Sequence, residues 1–126
     1  MSSKEFNRTK GRRGEQIGET YLKQQGYQIV ERNFRSPFGE IDLVCEHRGT
    51  LVFVEIKARH DAAFGFPEEA VGEHKKNQLT RLASWYLAQY PKLNSPVRFD
   101  VLAIQTEGHD GGIRLIQNAF DFEPRY

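Results

Sequence analysis

The order of helical and strand periodicities along the 126 residues predicts an α/β domain, αβββαβ(β). Three observations carry that expectation: two stretches with apolar residues at helical spacing, a central pair of period-two runs around a Gly-containing turn, and at least one further apolar strand near the C-terminus. A hydrophobic share of 38%, with 12% aromatic residues, is enough for one domain with its own core.

The first helix is expected over 13–25, with Ile17, Tyr21 and Leu22 on one face and Gly26 as its stop. A strand over 27–34 follows, then a loop at 35–38. Gly39–Glu46 and Leu51–Ala58 alternate with period two around His47-Arg48-Gly49-Thr50, which reads as a hairpin. Residues 62–67 read as a loop. From about Glu68 to Tyr90, Val71, Leu79, Leu82, Ala83, Tyr86 and Leu87 recur at helical spacing, and Pro91 ends the longest expected helix. Strands over 97–104 and 113–119 close the chain around a turn-rich 106–112. The domain is thus expected over 13–120, with a basic N-terminal arm at 1–12 and a tail at 121–126.

Composition excludes several classes. Four scattered histidines and the single Cys45 cannot build a disulfide framework or a Cys/His zinc site, and they suit a reducing cytoplasm. No apolar run reaches the length of a membrane span, and the first 25 residues lack the apolar stretch of a signal peptide, so a cytoplasmic protein without a membrane partner is expected. The net charge of +1 hides an asymmetry: residues 1–38 carry a net +4 and residues 39–126 a net −3. Lys4, Arg8, Lys10, Arg12 and Arg13 supply most of that excess, as a stretch able to neutralise phosphates or as a mere solvated terminus.

The hairpin poses the functional question. A two-residue turn at Arg48-Gly49, or a four-residue loop over 47–50, sets Asp42 opposite Glu55 and Glu40 opposite Lys57. Ile41, Leu43 and Cys45 then share a core face with Val52, Val54, Ile56 and Ala58. The other face mixes Glu40, Asp42, Glu46, Glu55 and Lys57 with Val44, Leu51 and Phe53. On the hairpin pattern alone an ordinary solvent-exposed face with surface ion pairs is the simpler reading. The large apolar neighbours argue instead for partial cover, where opposed carboxylates repel unless a cation lies between them, and a divalent metal is such a cation. Lys57 points to the same side as Glu55, within reach of a metal-bound water or a phosphate.

Asp42 followed by Glu55-Ile56-Lys57 resembles the signature of the PD-(D/E)XK nucleases. More closely, GRRGEQIGETYL, GEIDLV, FVEIKAR, FG followed by EEAV, and RFDV, in this order, resemble the YraN-like family of small bacterial proteins, described as candidate endonucleases. The likeness runs from about Gly11 to Ile104, with archaeal Holliday-junction resolvases as the characterised relatives it most resembles. Ile41 stands where the superfamily's name has proline, which is not a metal ligand.

The resemblance implies a restriction-endonuclease-like core, a mixed β-sheet flanked by helices. It implies metal carboxylates at Asp42 and Glu55, with the Ile56 carbonyl and Glu15 as further ligands, and Mg2+ or its substitute Mn2+ as cofactor. Glu15 as an exposed partner of nearby arginines is the alternative. The implied reaction is phosphodiester hydrolysis in DNA, including branched or structured DNA, with Lys57 orienting water or neutralising developing charge. Lys75 and Gln78, three apart on the second helix, either turn toward the site, as in related nucleases, or belong to an ordinary helix surface. The resolvases are dimers, so a homodimer is possible, although the chain carries no dimer signature of its own. A catalytically silent nucleic-acid-binding module and a protein-interaction domain are the competing classes. Asp100 is expected as a structural ion-pair or rim residue, and the histidines as surface groups, His60 being nearest to the site.

Overall fold

The computed structural model describes residues 3–59, 72–90, 93–105 and 112–122, with side chains over 14–57, 72–90, 93–104 and 112–122. The elements run α1 (Ser3–Gln24), β1 (Gln28–Ser36), β2 (Gly39–His47), β3 (Thr50–Arg59), α2 (Glu73–Ala88), β4 (Val97–Gln105) and β5 (Ile113–Phe120). One five-stranded sheet takes them in sequence order, β1-β2-β3-β4-β5. All neighbours are antiparallel except β3 and β4, which are parallel and lie on either side of the α2 crossover in sequence. The expected α/β class and element order are therefore present, the fifth strand included.

Helix α1 starts at Ser3, ten residues before the expected Arg13, and is the longer helix, at 22 residues against 16 for α2. Its first turns are rich in Lys, Arg and Glu with no proline, so nothing in them stops a helix once Leu22 is anchored. The positions expected to form a basic arm, Lys4, Arg8, Lys10, Arg12 and Arg13, are thus part of α1, and their side chains lie outside the described residues. Gly26, at φ +90, ends the helix. Tyr27 N–H donates to Leu22 O at 2.9 Å and Gly26 N–H to Lys23 O at 3.1 Å, the paired bonds of a Schellman stop.

Two cores sandwich the sheet. Leu22, Tyr27, Leu43, Cys45, Val52, Val54, Leu102 and Ile104 fill the α1 side. On the α2 side lie Ile41, Val44, Leu51, Phe53, Leu79, Leu82, Ala83, Tyr86 and Phe99. Gly18 lets α1 approach closely: a Cβ there would stand 3.1 Å from Ile56 Cδ1 and Leu102 Cδ2.

Arg48 and Gly49, at φ 50 and 82, make a two-residue β2–β3 turn of the type that matches strand twist. The expected register follows, from His47 opposite Thr50 to Leu43 opposite Val54. One expectation fails here. Ile41 does not share a face with Leu43; it belongs to the α2-side core while Leu43 belongs to the other. The alternation breaks at Asp42, and also on β1, where Arg32 reaches α1 through Glu19 but Phe34 packs on Trp85 and Tyr86 of α2. Asn33, at φ 51, is the intervening residue and absorbs the change of face.

Candidate functional site

The ladder between β2 and β3 stops at Leu43–Val54, one pair short of Asp42 and Glu55, whereas β3 stays paired with β4 out to Arg59. Beyond Leu43, β2 follows β1 and leaves β3. The two carboxylates thus stand at the mouth of a fork and not in a flat ladder.

Asp42 bridges the fork. Its Oδ2 accepts the Ile56 N–H at 2.7 Å, replacing the strand carbonyl that a continued ladder would supply. The N–H and C=O of a strand residue leave on the same side, so the Ile56 carbonyl also faces the fork. Burial pushes the Asp42 carboxyl up to about 6 against the lowering effect of the Ile56 N–H, and the negative charges of Glu55, Glu15 and Glu40 push it further.

Glu55 is mostly buried, at 13% side-chain exposure, and its two oxygens are treated differently. Oε1 faces Lys75 Nζ at 3.4 Å and Lys57 Nζ at 3.6 Å. Oε2 is buried and has no hydrogen-bond partner among the described residues. An orphaned carboxylate oxygen is costly, and it is what a cation site presents before the cation arrives.

The helices bracket the fork from both faces. Glu15, half-buried on α1, lies near enough to raise the Asp42 pKa. Lys75, on α2, makes the ion pair with Glu55. Gln78 covers Gly39, at φ +131, so closely that a Cβ would run into its amide nitrogen. The pair expected for an ordinary surface face, Glu40 with Lys57, is replaced: Glu40 meets Arg35, at 3.6 Å, and Lys57 meets Glu55.

Among the described residues no group of three or more His, Cys, Asp or Glu side chains is gathered tightly enough to make a complete protein metal centre. Asp42 and Glu55 are a two-carboxylate set, a donor count that suits a hard divalent ion retaining its waters, as magnesium does. The unpartnered Oε2 and the inward-facing Ile56 carbonyl fit that ion. Glu15 stands by it as a neighbouring charge. His60 lies outside the described residues.

A second polar cluster escapes sequence reading. Asp100, 1% exposed, accepts Tyr27 Oη–H at 2.6 Å, Arg98 Nε–H at 2.8 Å and Asn118 N–H at 2.9 Å. Gln117 Nε2 donates to Tyr27 Oη at 2.9 Å. The expected ion-pair role of Asp100 is borne out through Arg98. His47 overturns the expectation that the histidines are surface groups: it is 7% exposed and stacks on Tyr27 at 4.1 Å. Arg98 lies 3.1 Å from its Nδ1, and burial with the Arg98 charge lowers its pKa. Tyr27, held among these partners and buried, has its hydroxyl pushed up to about 12. The signals available were RFDV, an acid inside an apolar strand, and a histidine at the core-facing end of β2.

Among the described residues no helix is long and apolar enough to cross a membrane. Comparison with solved structures finds Pyrococcus furiosus SfsA in complex with Ca2+, at 17% identity and a TM-score of 0.38, over 88% of this chain and 63% of that one. The chain is 45% identical over 111 residues to a UPF0102 protein of Desulfosudis oleivorans, covering 88% of this chain and 89% of the relative. It is 44% identical over 115 residues to a UPF0102 protein of Syntrophomonas wolfei subsp. wolfei, covering 91% and 100%. A model of the uncharacterised protein family UPF0102 matches residues 14–104, and the chain belongs to that family.

Proposed function

We propose that the protein is a metal-dependent endonuclease that hydrolyses phosphodiester bonds in DNA, on a restriction-endonuclease-like core. The observation that carries this reading is the fork: Asp42 and Glu55 converge with a buried, unpartnered oxygen on Glu55 and two lysines alongside. Asp42, Glu55 and the Ile56 carbonyl would hold Mg2+ or Mn2+, with Glu15 beside them. Such an ion supplies polarisation of a nonbridging phosphate oxygen and a lowered pKa for an attacking water.

The chain's own residues do the rest. Asp42 is fixed by the Ile56 N–H, so its remaining oxygen is aimed without reorganisation. Lys57, on the strand that carries Glu55, orients the water or neutralises charge developing on the phosphate. The N-terminal turns of α1 place the Lys4, Arg8, Lys10, Arg12 and Arg13 positions on the helix that brings Glu15 to the site, a route for a phosphate backbone. Gln78, packed on Gly39, sets the position of the β2 end that carries Asp42.

One set of variants tests the reading. Asp42→Asn and Glu55→Gln each lose most calorimetric Mn2+ binding with the fold intact, whereas Lys57→Ala keeps the metal and loses cleavage of branched, nicked or single-stranded DNA or of RNA. Unchanged Mn2+ affinity in both carboxylate variants overturns the assignment. Metal binding without cleavage of any of these substrates leaves the nucleic-acid-binding module as the better description.

A further inference from the structure

Two ammonium groups converge on one oxygen of Glu55, and only one of them belongs to its own strand. Lys57 follows Glu55 by two residues on β3, so its proximity is what the strand period dictates. Lys75 comes from α2, across the fork, and still stands closer, at 3.4 Å against 3.6 Å. Nothing in local geometry requires that approach. Both lysines gather at Oε1, while the buried Oε2 is left unpartnered.

Resting on the nuclease reading, we propose that Lys75 is a stored substrate cation: Glu55 holds it in the metal-free protein, and a divalent ion taking up Glu55 releases it to a DNA phosphate. The charges around the fork make the exchange coherent. Glu15, Glu40, Asp42 and Glu55 form a negative surround that repels a phosphodiester. With its carboxylate committed to an ion, Glu55 no longer needs an ammonium counter-charge. Lys75 sits in the first turn of α2, and its long stem can swing while the helix stays in place. Metal binding then licenses DNA binding. The order is metal first, nucleic acid second. Lys75 is a positioning residue before the exchange and a phosphate contact after it.

The test measures binding of a short labelled DNA duplex by fluorescence anisotropy, with and without Ca2+, whose loose geometry favours binding over turnover. For the wild type, Ca2+ should tighten the duplex by more than about tenfold, from the ion itself together with the released Lys75, and Lys75→Met should lose about tenfold of that gain while Lys75→Arg keeps it. Without metal, Glu55→Gln should tighten the duplex, and the double variant Glu55→Gln/Lys75→Met should lose about tenfold of that. A Ca2+ gain undiminished in Lys75→Met, or equal metal-free affinities for Glu55→Gln and the double variant, overturns the proposal. Calorimetry of metal on the same proteins separates the two failures. Normal carboxylate-dependent uptake with no Lys75 effect sinks this inference alone, and a wild type that takes up no metal sinks it together with the nuclease reading.

Discussion

Acids sit at two places in the sheet, Asp100 on β4 and the pair Asp42 and Glu55 at the fork, and the protein treats them in opposite ways. Asp100 has donors at both oxygens: a phenol, a guanidinium and a backbone N–H saturate its carboxylate. Among the described residues Glu55 keeps one oxygen buried without a donor, and Asp42 has one backbone N–H set against three neighbouring carboxylates. A saturated acid stabilises the fold and has nothing left to offer a ligand. The unsaturated pair does the reverse.

Removing the charge should therefore have opposite signs at the two places, and this is the largest effect. Asp100→Asn leaves the half-buried Arg98 without its buried anion and should cost about 3 kcal/mol in urea unfolding. Asp42→Asn, measured the same way in metal-free buffer at neutral pH, should cost nothing and gain up to about 2 kcal/mol by relieving repulsion. Equal losses at both positions would erase the distinction.

The pH dependence sharpens it. Because the folded Asp42 carboxyl lies near 6, above its ordinary value of 3.8, the folded state holds that proton more tightly than the unfolded chain does. Its contribution is full below about pH 4 and is lost as pH rises through about 6, a fall of roughly 2 to 3 kcal/mol. Thermal melts of metal-free protein should show this fall, Asp42→Asn should lack it, and Mg2+ at about a hundred times its dissociation constant should return about 2.7 kcal/mol above pH 6.

Smallest is the effect of the helix that supplies Glu15. Gly18→Ala gains about 1 kcal/mol of helix propensity but pushes a methyl against Ile56, Leu102 and Ile104, 3.1 to 3.3 Å away. The net loss should stay within about 1 kcal/mol, and the Asp42 step in the pH melts should shrink as Glu15 is lifted away. A stability loss with an unchanged step would separate α1 packing from the site.

Much of this was legible in the chain because the strand period is strict. The turn at Arg48-Gly49 set the β2–β3 register as far as Leu43–Val54, which directs Asp42 and Glu55 to the same end of the hairpin, and the β3 period puts Lys57 beside Glu55. Gly26 marked the end of α1 for the same local reason. The fork was not legible, since it depends on Asn33 taking a left-handed conformation on the neighbouring strand. His47 and Asp100 were misjudged or only half seen for a related reason: Tyr27 meets both from a remote part of the sequence, and Arg98 reaches His47 from another strand. The start of α1 was missed because charged residues that favour helices also make good solvated termini.

The parallel pairing of β3 with β4 has a consequence for how the chain is made. Strands β1, β2 and β3 form a meander closed by two short turns, whereas Leu51 must wait for Val97 before the other edge of β3 is covered. Local hairpins close quickly and distant parallel pairs slowly. During synthesis the fork can therefore exist, with both carboxylates in place, on a sheet whose β3 edge and whose Phe53 face are still bare. The polar ends of that meander, Glu40, Asp42, Glu55 and Lys57, then act as charges that keep an unfinished edge from pairing with another chain.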